Sequence, residues 1–493
     1  MPCLPSHGAL NTKMSEPDKF DLLIRNGTLI DGTGLPRFNA DVGIKEGRIV
    51  DIGDLSSAHA RQHMDVPGMI VAPGFIDAHT HDDHAIFAAP EMASKISQGV
   101  TTVVTGNCGI SSAPLSDDMP LPDPLNLLGL PLRGRFPTFE AFLKAISSRP
   151  PALNVAPLVG HTTLRVFAMS DLARVATESE ICSMRSMLKE ALAAGAIGLS
   201  SGTFYPPAAA ATKEELIGVG APLCEYEGVY ATHLRDESDH IVEAIGEALD
   251  VGRTLGVQVV LSHHKLMRER NFGKSRITLP LIRNAMHHQC ISLDCYPYTA
   301  GSSMIRDDSF VREGHIVIVS SEPHPECAGK TLEEIALEFG TDRQEAARQL
   351  QPGTATYHFM SEEDVQEILR FEHTMIGSDG LQVGERPHPR LWGTFARVLG
   401  HYVREVGLFT LEQAIRKMTS LTARNFGLKG RGVLTPGYHA DITIFDPDSI
   451  RDRADYDNPT VPSSGVVVVI VNGVTTWVKG EHTGALNGAL VGR

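Results

Sequence analysis

Met69-Ile70-Val71-Ala72-Pro73-Gly74-Phe75-Ile76-Asp77-Ala78-His79-Thr80-His81 runs from continuous apolar residues into two imidazoles spaced i and i+2. An apolar run of this length, broken by Pro and Gly, reads as a buried strand. Side chains on a strand alternate between faces, so His79 and His81 point the same way from its end. Two neutral imidazoles converging there can chelate a divalent cation without a loop folding over it. With 21 histidines in the chain, the pair makes a metal site only if other strand ends complete it.

Outward from this stretch, apolar strand-like runs alternate with helix-like stretches, the pattern of a parallel α/β fold. The runs end near His81, Cys108, His161, Ser201, His233, His263, Tyr298 and Asp379. Eight strands close a (β/α)8 TIM-like barrel, in which functional residues gather at the C-terminal strand ends. Glu178 to Ala194 and Ile241 to Leu255 carry apolar residues at three- and four-residue spacing and are expected as helices. The interval at about 299–360 is too long for a strand-to-helix connection and holds its own strand-like run, His315-Ile316-Val317-Ile318-Val319. It is expected as an insertion near the barrel mouth. Both ends of the chain are rich in short β segments divided by glycine turns, at 20–27 and 41–50 and again at 440–445 and 466–473. The expected organisation is a leader at 1–19, a small β domain built from 20–72 and 428–493, and a barrel at 73–427.

The 493 residues, 42% hydrophobic and 21% charged, have the composition of a globular protein with one large and one smaller domain. A net charge of −15 speaks against a nucleic-acid surface or an anionic membrane as partner. No apolar run approaches the ~20 residues a membrane helix needs. Residues 1–19 lack a basic start and an apolar core, so they are no secretory signal. Their Pro, Ser and Gly content predicts a disordered leader, with Met14 as an alternative start, and a cytoplasmic location follows. Seven scattered cysteines form no disulfide framework and fit a reducing compartment.

Several strand ends carry metal-ligand chemistry. Thr101-Thr102-Val103-Val104-Thr105 leads into Gly106-Asn107-Cys108-Gly109, where a thiolate between glycines can approach a cation closely. His233 ends Gly228-Val229-Tyr230-Ala231-Thr232, and His263 ends Val257-Gln258-Val259-Val260-Leu261-Ser262. His264 points to the other face and is a spectator. Thr374-Met375-Ile376-Gly377-Ser378 delivers Asp379, which can bind a metal or take a proton from an attacking water. Lys265, two residues beyond His263, shares its strand face.

His79-x-His81, Cys108, His233, His263 and Asp379, in a barrel flanked by terminal β segments, resemble the amidohydrolase superfamily. Gly106-Asn107-Cys108-Gly109, His233-Leu234-Arg235-Asp236-Glu237-Ser238, Ser262-His263-His264-Lys265, Tyr296-Pro297-Tyr298 and Ser378-Asp379-Gly380 narrow the resemblance to the N-acyl-D-amino-acid deacylases. It runs from about residue 20 to the C-terminus. It implies hydrolysis of N-acyl-D-amino acids to a carboxylate and a free D-amino acid. It also implies a tightly held zinc on Cys108, His233 and His263, with a weaker second position near His79, His81 and Asp379. Many amidohydrolases bridge two metals with a carboxylated lysine of the fourth strand. Here that strand, 195–202, has no lysine, and Cys108 would take the bridging place.

In the mechanism this implies, Asp379 takes the proton of the attacking water and returns it to the leaving amine. His79 and His81 hold a second metal or steady the tetrahedral oxyanion. Lys265, Tyr296 and Ser302 are the expected donors to the substrate's α-carboxylate. Two readings of the side-chain pocket stand open. Arg386 or Arg390 pairs with an acidic D-side chain, or an apolar pocket involving Met304 or Leu381 selects D-Leu, D-Met or D-Phe. A cyclic-amide hydrolase of the dihydropyrimidinase or dihydroorotase type is the alternative enzyme; Cys108 and the missing lysine count against it. A non-catalytic assembly protein of the same fold is the further alternative, and it would be expected to lack ligands.

Overall fold

The computed structural model describes residues 19–116, 119, 121–128, 134–382, 384 and 386–492. The expected leader, Met14 included, lies outside the described residues except for Lys19.

Eight parallel strands form the barrel: Phe75–Asp77, Val100–Thr105, Asn154–Pro157 continued by Val159–Gly160, Gly198–Gly202, Val229–His233, Val259–Leu261, Ile291–Cys295 and Thr374–Ile376. Parallel pairing links them in that order. The ring closes where the eighth strand meets the first: Ala78 N–H donates to Ile376 O at 3.1 Å, and Asp379 N–H to His79 O at 2.8 Å. The seventh strand ends at Cys295, short of the expected Tyr298.

Strand alternation separates two cores. Ile76, Val104, Ala156, Ala231, Val260 and Met375 fill the barrel interior. Val103, Val155, Leu199, Tyr230, Val259 and Leu293 face outward, packing with helix residues such as Leu188, Ile245, Val251 and Ile282. Glu178–Ala194 begins at a capping box between Thr177 and Glu180 and stops at Gly195. Ile241–Leu255 stops at Gly256, whose left-handed φ of 68° suits a residue without Cβ.

The chain ends build two sheets. One orders Arg48–Gly53, Asp41–Lys45, Phe20–Arg25 and Ala60–Asp65; the other joins Ile70–Pro73, Thr28–Leu29 and Phe38–Asn39 to Ile442–Phe445, Val466–Val471, Val474–Val478 and Glu481–His482. Leu22, Ile24, Val42 and Ile44 of the first share a core with Val71, Ile442, Ile444 and Ile470 of the second. Gly74 carries the chain from Pro73 into the first barrel strand; a Cβ there would stand 2.2 Å from Thr101 Oγ1.

Between the seventh and eighth barrel strands, Gly301–Met304, Gly353–His358 and His315–Ser321 form an antiparallel sheet. With the helices Leu332–Phe339 and Arg343–Gln349 it encloses its own core around Ile305, Phe310, Ile318, Leu332 and Tyr357. Among the described residues, no helix is long and apolar enough to cross a membrane.

Candidate metal centre

The C-terminal strand ends bring the predicted donors into one chamber. Cys108 Sγ lies 3.3 Å from His79 Nε2 and 3.2 Å from His263 Nε2. Asp379 Oδ1 stands 3.2 Å from His81 Nε2 and 3.6 Å from His79 Nε2. The donor atoms of His79, Cys108, His263 and Asp379 all lie within 4.8 Å of one another, as do those of His233, Glu237 and His263. Cys108 also interacts with the His233 ring, so its neighbours take in the expected His233 and His263 and, in addition, His79. His263 belongs to both groups.

Backbone geometry aims these side chains. Cys108, His263 and Asp379 all take left-handed φ values, 52°, 34° and 47°. Such conformations are unfavourable away from glycine and concentrate at functional sites. Beneath them, buried Lys95 Nζ bonds Asp77 Oδ2 at 2.7 Å and Ser378 Oγ at 2.6 Å, tying the first strand to the eighth directly below Asp379.

Charge in the chamber is balanced by position. Burial works against the Cys108 thiolate, yet the imidazoles of His79 and His263 hold the thiol well below its ordinary value. Burial likewise disfavours the Asp379 carboxylate, which Arg390, His263 and His81 nonetheless hold well below the usual range. Glu237, buried, is brought down to about 2 by Lys265 and His233. These ionised donors suit a cation.

Buried nitrogens without partners make the same point. Among the described residues, neither ring nitrogen of His233 meets a partner at good hydrogen-bond geometry, although the Cys108 sulfur bears on the ring and Glu237 Oε2 stands 3.4 Å from Nε2. His79 Nδ1 and His81 Nδ1 are also unpartnered, with Asp294 Oδ1 3.5 Å from the former. An unsatisfied buried polar group costs about 1–3 kcal/mol, and a bound cation would use the orphaned lone pair on His233. Imidazole nitrogens, one thiolate and one carboxylate are a donor set that fits zinc.

The structure also places the remaining predicted residues. Lys265, Tyr296, Ser302, Leu381 and Arg390 line a cavity that also takes in His81, His233 and Asp379 of the cluster. Lys265 Nζ is engaged by Glu237 at 2.8 Å. Arg390 NH1 stands 2.9 Å from Asp379 Oδ2 and the guanidinium stacks on Tyr296 at 4.5 Å, while among the described residues its buried Nε and NH1 make no hydrogen bond, so the side chain keeps donors for a substrate carboxylate. Arg386 is exposed and outside the cavity lining. Met304 packs with Cys108 and Tyr205. His264 turns away to Thr278 Oγ1 at 3.0 Å, and His161 opens a helix and pairs with Glu215 at 3.0 Å.

Two carboxylates that face the donor cluster escaped the sequence reading. Glu237 Oε1 lies 3.0 Å from His263 Nδ1. Lys265 Nζ competes for that nitrogen at 2.7 Å, but only the tautomer with its proton on Nδ1, facing Glu237, leaves Nε2 free for a metal. Asp294 Oδ1 accepts the backbone N–H of His263 at 2.9 Å and faces His79 Nδ1. Both had a signal: Glu237 follows His233 by four residues, and Asp294 is the one charged residue of the buried strand Ile291–Cys295, at a polar place in its alternation.

The family model described as the amidohydrolase family matches residues 62–279 and 333–477. A model of the urease alpha-subunit N-terminal domain matches residues 6–75. A D-aminoacylase of Alcaligenes xylosoxydans xylosoxydans is 53% identical over 479 residues, 97% of this chain and 99% of that protein. A solved D-aminoacylase structure, described for its binuclear metal centre, superposes with a TM-score of 0.95 at 52% identity, covering 96% of this chain and all of that one. A solved N-acyl-D-glutamate deacylase of Bordetella bronchiseptica holds zinc and a phosphonate mimic of the reaction's tetrahedral intermediate. It superposes with a TM-score of 0.92 at 44% identity, over 97% of this chain and all of that one.

Proposed function

The chain belongs to the amidohydrolase family, and we propose that it hydrolyses N-acyl-D-amino acids to a carboxylate and a free D-amino acid, with zinc as cofactor. One observation carries the reading: the His79, Cys108, His263 and Asp379 donors converge at a barrel rim whose fourth strand, Gly198–Gly202, offers no lysine. That donor set parts the chain from the lysine-bridged cyclic-amide hydrolases. The thiolate side of the chamber, with His263 and His233, is the tight zinc position in this proposal, and His79, His81 and Asp379 border the weaker one.

When bound, zinc supplies a water of pKa roughly 7 and polarises the amide carbonyl. Arg390 holds Asp379 Oδ2 at 2.9 Å, leaving Oδ1 on the histidine side to accept the proton of the attacking water. The water oxygen adds to the carbonyl carbon. As the C–N bond breaks, Asp379 returns the proton to the amine nitrogen, which would otherwise be a very poor leaving group. Lys265 donates to Glu237 and to His263 O and keeps one hydrogen to direct, with Tyr296 and Ser302, at the substrate's α-carboxylate.

Leu127, Phe204, Met267, Phe310 and Leu381 make much of the wall apolar, and Arg306, a further cation in it, is paired with Asp308. This wall favours an apolar D-side chain over an acidic one. The test is a panel of N-acetyl-D-methionine, its L-enantiomer, N-acetyl-D-glutamate and dihydrouracil, with zinc measured on the same sample. Hydrolysis of the D-methionine derivative by a zinc-containing protein is expected. Activity on dihydrouracil alone refutes the proposal, and a metal-free, inactive protein returns the non-catalytic alternative.

A further inference from the structure

We propose that Ser200 is a positioning residue for the Cys108 thiolate: the fourth strand contributes a hydroxyl that clamps the Cys108 turn. The inference rests on the metal centre proposed above.

The turn Gly106-Asn107-Cys108-Gly109 lies across the tops of the third and fourth strands. Its φ values are 75° at Gly106, 52° at Cys108 and 78° at Gly109, so three of its four residues are left-handed and only two of those are glycines. Cys108 would relax toward ordinary backbone geometry unless its surroundings held it.

Ser200 is fully buried, and its Oγ sits inside this turn. It accepts the N–H of Gly109 at 2.9 Å and donates to Gly106 O, bridging the two residues that flank the Asn107-Cys108 pair. Glycines on the neighbouring strands let the turn come this close. A Cβ at Gly202 would meet Cys108 O at 2.2 Å, and one at Gly160 would meet Gly109 O at 2.4 Å. Asp83 Oδ2 accepts Gly106 N–H at 3.1 Å, and Asn107 Nδ2 donates to Val104 O at 2.8 Å, but these hold the turn's entry side. Ser200 alone among these side chains spans from entry to exit. Removing its hydroxyl leaves Gly109 N–H and Gly106 O without that partner in a dry interior and frees the Cys108 Cα–Cβ vector to rotate away from His79 and His263.

Ser200→Ala deletes one oxygen and adds no bulk. Zinc affinity, read by chelator competition, is expected to fall about 10- to 100-fold, the usual cost of losing a group that orients a ligand. The thiolate-to-cobalt charge-transfer band of the Co(II)-substituted protein should weaken, while circular dichroism stays unchanged. Gly202→Ala, which presses a methyl group onto Cys108 O with Ser200 intact, should lower affinity and weaken the band in the same way. Ser200→Cys, a weaker donor and acceptor at the same place, should also lower affinity and weaken the band, and it decides the matter if Ser200→Ala does not fold. Wild-type affinity within about threefold and an unaltered band in a folded Ser200 variant overturn the role of Ser200. A wild-type protein that holds no zinc refutes the metal centre itself, a different failure.

Discussion

Replacing Asp379 by asparagine removes a charge and a proton acceptor while keeping the shape of the side chain. The structure sets the size of the effect. Oδ2 is 2.9 Å from Arg390 and Oδ1 is 3.2 Å from His81, so an amide keeps an oxygen for the guanidinium but has no site for the water's proton. Losing a positioned general base costs about 10²- to 10⁴-fold in rate, which is about 3–5 kcal/mol on the barrier. Because the cavity walls are unchanged, the loss should fall on kcat and leave KM nearly constant. Arg390, 2% exposed, loses its counter-charge, so a modest fall in thermal stability of about 1–3 kcal/mol should accompany it. The assay is release of D-methionine from its N-acetyl derivative, with zinc content and circular dichroism on the same preparation. Turnover within about tenfold of wild type, with zinc retained, refutes Asp379 as the base.

Cys108→Ala should strip the tightly held zinc while the fold persists, as read by elemental analysis; stoichiometric zinc in the variant would show that the thiolate is not the anchor. Glu237→Gln weakens the acceptor that holds the His263 proton on Nδ1, and zinc affinity should drop about 10- to 100-fold; an unchanged chelator titration would contradict that role. Far from the site, Lys417 is buried with only the carbonyls of Phe371 and Thr374 as hydrogen-bond partners, and burial lowers its amine from 10.5 to about 7. Between those two values the unfolded chain binds the proton and the folded chain does not, so this group makes stability rise with pH across that window, by up to about 5 kcal/mol. Thermal melts of Lys417→Met should lack the rise between pH 7 and 10; an identical slope in both proteins would show that the lysine is not buried as described.

The ends of the barrel strands were legible because local patterns are set by short-range sterics. Apolar runs of strand length, each closing on His81, Cys108, His233, His263 or Asp379, place those side chains at one rim once strand polarity is known. The loss of the fourth-strand lysine was equally visible, since a missing residue type needs no coordinates. The terminal β segments announced themselves through glycine-punctuated alternation, but their division into two sheets depended on Ile70–Pro73 pairing with Thr28–Leu29 on one side and Ile442–Phe445 on the other.

What the sequence determined by itself was therefore which of the proposed metal donors close the barrel strands and at which end they sit. Only the tertiary structure decided their partners. Asp379 lies beside His79 because the ring closes between residues 300 apart, and Arg390 turns to Asp379 because the chain returns over the rim. Glu237 and Asp294 came to face His263 and His79, and Ser200 to bridge the Cys108 turn, only once neighbouring strands were in register. The physical reason is range. Strand alternation is enforced by every peptide unit along a run, whereas the choice of a side chain's partner across the barrel depends on tilt, closure and loop path, none of which a local pattern encodes.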